Sequence, residues 1–469
     1  MTYLNSKTGI DNRRLPSFCH SCEPCLPAGR SRNLKRDSGY SAKAEFRNDK
    51  SGDTWLFTAR LFIAIIVILF FTSVSFTQSV NDFEVKSLNV YTTASKTSLA
   101  VVTAGSRLVI EFDVQADFIP NMNIVFRFCD KGWKPANNVF LLNNLNSTAY
   151  FLDFEYLPST VEDAQYHFKG EYPNNKDDVR FPFSGKWKFY LTDTQDTSIV
   201  YATGKFLYVK QEVPLSVRVK QDELEDKNYW PIELAKAFNV TTNFNLPAQF
   251  HPSFVSKIEI IENHLIYNPI IVDRLSNTLF RKFEWDANRK FTFIARDIQA
   301  GNEFRQVDIR NNNIFSSKDV KAQLDGLEFS RFLIPTRHKD MNGGMLFADF
   351  KDTYSTYLNV IFSIRPPDDV YGEIFLIGAF NNWKLSLDYE MKKEAGISSI
   401  TIPLKRGIYD YQYVAADVIN GEIINDDWLV LEGNTWVNNK EYDVFLYYNE
   451  PNLGGYERII GYSRIRNKR

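Results

Sequence analysis

At 469 residues, with 44% hydrophobic and 15% aromatic content, the chain holds enough apolar material for two to four packed domains and is not a disordered polymer. Its formal net charge of −2 hides an asymmetry, because residues 1–77 carry 11 Lys/Arg and 6 Asp/Glu, which leaves 44 basic against 51 acidic residues in the remainder. A mildly acidic body argues against a nucleic-acid binder, and its single cysteine, Cys129, excludes an intramolecular disulfide.

Residues 1–55 are polar and show no apolar periodicity, as expected of a disordered or non-native leader. Cys19, His20, Cys22 and Cys25 stand there at spacings that superficially suit zinc, but a zinc site needs a fold around it, so no metal is expected. In residues 56–77, Arg60 precedes an unbroken apolar run from Leu61 to Phe71 and then small polar residues. This is the layout of a secretory signal peptide, with cleavage after Thr77. A membrane anchor is the alternative, yet Leu61–Phe76 gives 16 residues against roughly 20 for a bilayer span. No cysteine closes the run, so no direct lipid anchor is expected. The polar residues ahead of the signal imply a translation start further along the chain.

From residue 78 onward the pattern is that of strands. In SRLVIEFDVQAD, Leu108, Ile110, Phe112 and Val114 alternate with Val109, Glu111, Asp113 and Gln115, which predicts a half-buried strand. NIVFRFC and GKWKFYLTDT alternate in the same way through Ile124, Phe126 and Phe128, and through Trp187, Phe189 and Leu191. Pauses at KQEVPLS and IRPPDD suggest linkers. The expectation is an all-β protein of three consecutive β-sandwich, immunoglobulin-like domains at 78–212, 213–365 and 366–469, with one short helix over WPIELAKAF.

Chemistry is sparse. His20, His167, His251, His264 and His338 are scattered, and no HExxH, GxSxG or phosphate-cradling glycine loop occurs. The pairs Asp177-Asp178, Asp368-Asp369 and Asp426-Asp427 sit in turn-like contexts that suit solvated loops. In RFCDKGWKP, Cys129 ends a strand with no neighbouring base, which predicts a structural thiol, and Trp133 is expected to close the corner of a sandwich. In AGNEFRQVDIR, alternation places Glu303 and Arg305 on the face of Val307 and Ile309. Such a pair must be mutually satisfied or bound to a ligand, and an internal ion pair is the expectation. No catalytic residue, cofactor or metal is assigned.

Near the C-terminus, GEIFLIGAFNNWKLSLDYEM and GIYDYQYV resemble the immunoglobulin-like modules that accompany glycan-processing enzymes, through Gly378, Phe380, Asn381, Trp383, Gly407, Tyr409 and Tyr411. In a glycan module the Trp383 indole would be exposed and stack on a sugar. In a scaffold it would pack inside, because Ile374, Phe375, Leu376 and Ile377 make the preceding strand apolar on both faces.

A broader resemblance runs from about residue 85 to 465. RFCDKGWKP, QYHFKGEYPNNKDDVRFPFSGKWKFYL, AGNEFRQVDIR, DMNGGMLFADF, YGEIFLIGAFNNW, GIYDYQYV and EGNTWVNNKEYDVFLYYNEPNLGGYERIIGY follow one another as in the plug protein family of the bacterial type IX secretion system. Where the family shows His-Cys-Asp-x-x-Trp, this chain has Phe128-Cys129-Asp130-Lys131-Gly132-Trp133. The resemblance implies a non-catalytic periplasmic protein, held at the outer membrane by a translocon protein whose inner mouth it closes. An exported glycan-binding protein is the competing expectation, and no nucleic-acid partner is expected. Trp133, Glu303, Arg305 and Trp383 are the candidate structural or interaction residues.

Overall fold

The structure is a computed structural model that describes residues 83–467, apart from 143–144, 175, 177, 227–234 and 333–338. The signal peptide and the Cys19–Cys25 stretch lie outside the described residues.

The fold is all-β. β1 (Phe83–Thr92), β2 (Val101–Val102), β3 (Leu108–Ala116), β4 (Met122–Cys129), β5 (Thr148–Ala149), β6 (Glu155–Tyr156), β7 (Tyr166–Tyr172), β8 (Gly185–Asp193) and β9 (Val200–Tyr208) build a first pair of sheets. Their orders are β1-β3-β7-β6 and β2-β9-β8-β4-β5. Period-2 alternation sends Leu108, Ile110 and Phe112 of β3, Ile124, Phe126 and Phe128 of β4, and Trp187 and Phe189 of β8 into one core between the sheets.

The second sandwich begins with β10 (Ser216–Glu223), β11 (Lys236–Asn245), β12 (Val255–Glu262), β13 (Ile270–Asp273), β14 (Arg281–Trp285) and β15 (Lys290–Gln299). One sheet, β10-β11-β15-β14, is complete at this point. The other has only β12 and β13, and the chain leaves it unfinished. It first makes a third sandwich from β16 (Arg305–Asp308), β17 (Asp319–Lys321), β18 (Glu328–Phe329), β19 (Met345–Phe347), β20 (Tyr357–Arg365), β21 (Glu373–Gly378), β22 (Lys392–Glu394), β23 (Ile397–Lys405), β24 (Gly407–Ile419) and β25 (Glu422–Asp427). Here β24 pairs with β16, β19, β21 and β25, while the facing sheet runs β17-β20-β23-β22 with β18 also on β20. Only then do β26 (Glu441–Glu450) and β27 (Tyr456–Arg466) return to finish the second sandwich in the order β13-β12-β26-β27.

The sandwiches are therefore not consecutive: the third is inserted in the second, and the boundary expected at 366 falls inside a domain. Pro366 and Pro367 turn the chain from β20 to β21, both strands of the third sandwich. The stretch before Pro214 is no free linker either, since the Glu212 and Val213 amides donate to the Ile460 carbonyl at 2.9 and 2.8 Å. Alternation reports which face of a strand is apolar but not which strand it will pair with. Tyr442, Val444 and Leu446 of β26 are fully buried against Ile258 and Ile260 of β12. Each such side chain contributes about 1.5–3 kcal/mol by leaving water. The helix expected over WPIELAKAF is not seen in its described part, because Lys236, Ala237 and Phe238 belong to β11.

This topology gives a direct test. A fragment of residues 366–469 contains parts of two sandwiches and completes neither, so it is expected to show no cooperative thermal transition by circular dichroism, while residues 83–469 unfold cooperatively. A sharp melt of the short fragment would contradict the insertion.

Candidate functional site at the sandwich junctions

Cys129 ends β4 as a structural residue. Burial pushes its thiol up to about 11, far from the range of a reactive thiolate. The turn that follows is held by Asp130 Oδ1 accepting from the Lys134 amide at 3.2 Å, and it carries Trp133 in the left-handed region at φ 62°. Trp133 does close a corner, though one between two sandwiches. It shares a cluster with Leu99, Val101 and Leu207 of the first and with Ile261, Phe445 and Tyr447 of the second.

Buried ion pairs stitch the same seams. Lys186 of β8 reaches Glu259 of β12 at 2.8 Å, and both side chains are almost wholly shielded from solvent. Asp113 of β3, which alternation assigns to a solvent face, is fully buried because the third sandwich covers that face. One of its oxygens accepts from Lys405 Nζ at 2.7 Å and Tyr357 Oη at 2.8 Å, and the other lies 2.8 Å from His167 Nδ1. Burial would raise this carboxyl, but His167 and Lys405 outweigh it and hold it below the usual carboxylate range.

Arg305 is buried as expected, with a different partner. Its Nε donates to Glu432 at 2.9 and 3.0 Å and its Nη1 to Glu328 at 2.8 Å, while Nη2 donates to the Phe329 carbonyl at 2.8 Å. Glu303 is buried beside it, but the guanidinium does not turn to it. Instead the Glu303 carbonyl accepts from Arg331 Nη2 at 2.8 Å, and Arg331 also grips Glu432 at 2.7 Å. A pairing of neighbours along one strand is thus replaced by long-range pairs: β16 must lie where the loop before β26 delivers Glu432. Burial opposes the charge on Glu432, yet Arg305 and Arg331 keep it ionised to lower pH than an ordinary glutamate.

Trp383 is 2% exposed, so its indole cannot stack on a sugar from solvent. It lies 4.2 Å from the Phe304 ring, centroid to centroid, and its Nε1 donates to the Gly343 carbonyl at 2.7 Å. Leu265 of the second sandwich packs on the same cluster. Next to it the three sandwiches meet. His264 Nε2 bonds the Thr97 carbonyl at 2.9 Å, and a Cβ added to Gly344 would lie 2.6 Å from that same oxygen, so only glycine permits the approach. A cavity of about 90 Å³ remains here, lined by Leu99, Lys205, His264, Tyr267 and Trp383 among others. The Gly343–Gly344 loop is fixed by Asp410 of β24. Its carboxylate accepts from the Met341 and Gly343 amides at 2.6 and 3.0 Å and from Gln306 at 2.9 Å. Burial, with Asp340 nearby, pushes Asp410 up to about 7.

The structure thus places Trp133 and Trp383 in two different seams between sandwiches, and Arg305, beside the buried Glu303, at the entrance to the third sandwich, bound to the loop that leaves it. Asp113, Lys186, Glu259, Asp410 and Glu432 were not legible as seam residues. Their only signal in sequence is a charge within an apolar strand or beside one.

This three-sandwich arrangement recurs in a solved protein. The chain is similar in fold to the crystal structure of a hypothetical protein from Parabacteroides merdae, with a TM-score of 0.65 and 18% identity over 82% of this chain and 97% of that one. A structure of a 1.5-MDa bacterial ice-binding adhesin aligns with a TM-score of 0.12 and 9% identity, which is no shared fold. No protein-family model and no curated protein matches.

Two measurements follow from the buried charges. Arg305→Met or Glu432→Met alone strands a partner and is expected to cost about 3–5 kcal/mol. In a double-mutant cycle the two should couple by about 0.5–3 kcal/mol, whereas Glu303→Gln and Arg305→Met should couple by less than about 0.5 kcal/mol. The second concerns pH. The folded-state pKa of Asp410 lies above its unfolded value of about 3.9, so its contribution is fully present below pH ~4 and declines as pH rises to about 7. Asp410→Asn cannot ionise, so thermal melts should show the variant gaining on the wild type between pH 5 and pH 8. A difference that stays flat with pH would show that Asp410 titrates normally.

Proposed function

We propose that this chain is a non-catalytic periplasmic component of the type IX secretion system, docking on an outer-membrane translocon and occluding its inner mouth. The observation that carries this reading is where the resembling segments fall. RFCDKGWKP supplies Trp133, AGNEFRQVDIR supplies Arg305, DMNGGMLFADF supplies Gly343 and Gly344, YGEIFLIGAFNNW supplies Trp383, and EGNTWVNNKEYDVFLYY supplies Glu432 and the strand that completes the second sandwich. These segments build the seams between sandwiches and the clasp at the entrance to the inserted one. A body that blocks a channel needs rigidity across its domains, and seams of interlocked side chains provide it.

On this reading the signal peptide exports the protein and a protein partner, without a lipid anchor, holds it at the outer membrane. The glycan-binding alternative loses its main support with the burial of Trp383. The test is co-expression with the translocon in a bacterium that has this secretion machinery. The wild-type chain should co-purify with the translocon after mild detergent extraction, and its deletion should make the outer membrane permeable to large solutes. Trp383→Ala, costing about 3–5 kcal/mol, should reduce both retention and sealing. Intact sealing after deletion, together with retention of the protein on glycan columns, would overturn the assignment.

A further inference from the structure

The outer face of the β2-β9-β8-β4-β5 sheet carries a row of cations. Arg127 of β4 lies directly opposite Lys188 of β8, and Lys188 lies directly opposite Lys205 of β9. Neighbouring strands are about 4.8 Å apart. Three positive charges therefore stand side by side in a chain whose residues after the leader are net acidic. Like charges directly opposite one another on a sheet are destabilising.

The next row on this face shows how the fold treats a cation it needs internally. Lys186, opposite Cys129, is buried against Glu259 at 2.8 Å. Among the described residues the row of Arg127, Lys188 and Lys205 has no such partner. Arg127 donates to the Phe126 carbonyl and the Ser147 hydroxyl, both uncharged. Among the described residues no carboxylate comes within ion-pair distance of Lys188 or Lys205. Lys205 instead lies 3.6 Å from the centroid of the Tyr267 ring and 5.0 Å from that of Trp133, on the wall of the three-way cavity. All three cations are half-buried, and Lys205 at one end of the row reaches the seam between the first and second sandwiches through Tyr267.

We propose that this row is a binding site for an acidic segment of another polypeptide, whose carboxylates bridge adjacent cations and whose chain lies beside Tyr267. The repulsion between the cations is then relieved by the ligand. Burial, with Lys188 and Lys186 nearby, pushes the Lys205 ammonium down to about 8, so the site without ligand holds its charge weakly. An acidic polypeptide fits better than a nucleic acid. The row is only three cations long, and the net acidic charge of the body as a whole repels a long polyanion while tolerating two or three locally paired carboxylates. The proposal does not depend on the translocon reading, since it rests on the sheet register, the unpaired cations of that row and their neighbour Tyr267.

The test uses the full chain and a labelled hexapeptide of alternating Glu and Asp, with the matching Gln/Asn peptide and a twelve-residue oligothymidylate as controls. Fluorescence anisotropy at low salt should show the acidic peptide binding, the neutral peptide not binding, and oligothymidylate binding more weakly than the acidic peptide. Lys188→Gln with Lys205→Gln should weaken the acidic peptide at least tenfold. Without peptide, Lys188→Gln alone should melt at or above the wild-type temperature, because it relieves repulsion. Acidic-peptide affinity unchanged in the double variant, no binding at all, or tighter binding of oligothymidylate would each overturn the proposal. So would a marked fall in the melting temperature of Lys188→Gln, which would mean that the lysine is already satisfied within the fold.

Discussion

A charge removed from water must meet an opposite charge or the fold loses several kcal/mol. Here that constraint acts between sandwiches as well as within them. Asp113 is fully enclosed because the third sandwich lies on it, and the third sandwich can lie there only with Lys405 and Tyr357 in place. Lys186 and Glu259 impose the same condition between the first and second. Apolar contacts such as those around Trp133 tolerate small slides, whereas a buried ion pair that slips by an ångström or two forfeits most of its attraction while keeping its desolvation cost. The apolar clusters supply most of the burial energy, and the ion pairs fix the relative placement.

The loop between β25 and β26 shows how placement and topology are joined. Its Glu432 binds Arg305 at the start of the inserted sandwich, and its Asn434 and Asn438 hold the Gly301 amide and the Ala300 carbonyl at the entrance to it. Entry and exit of the insertion are thus clasped together. An inserted domain with both ends tied has less freedom to swing than one on a single linker. Asp410 extends the same logic into the insertion, since it holds the loop whose Gly343 carbonyl receives the Trp383 indole.

Much of this was legible in the sequence at the level of strands. The alternation in SRLVIEFDVQAD, NIVFRFC and GKWKFYLTDT marks the inward residues of the first sandwich, and the doubly apolar run from Ile374 to Ile377 implies cover on both faces, as found. The inert character of Cys129 also follows from its neighbours. The insertion was not legible, because β12, besides its neighbour β13, pairs with the distant β26 and no local pattern encodes that pairing. Nor were the partners of Arg305. Alternation put Glu303 on the same face and so suggested the nearest opposite charge, but Glu303 lies ahead of β16, which begins only at Arg305, and the guanidinium reaches Glu432 and Glu328 instead. The polar faces of β3 and β8 were read as wet for the same reason: a pattern shows polarity, and only tertiary structure shows whether a second domain meets it.

The late return of β26 and β27 also sets a timetable for the growing chain. Until β26 and β27 have emerged, β12 presents one unpaired strand edge, carrying Val255, Ile258, Ile260 and Ile261, to whatever surrounds it. Such an edge is a template for pairing with other chains. The first sandwich can close early, because all its strands lie within residues 83–208, and the insertion can close next. The second sandwich closes last, so a chain lacking β26 and β27 is not a slightly smaller protein but one with two finished sandwiches and one left open. Quality control that recognises exposed strand edges would therefore detect loss of β26 and β27 more readily than most damage elsewhere.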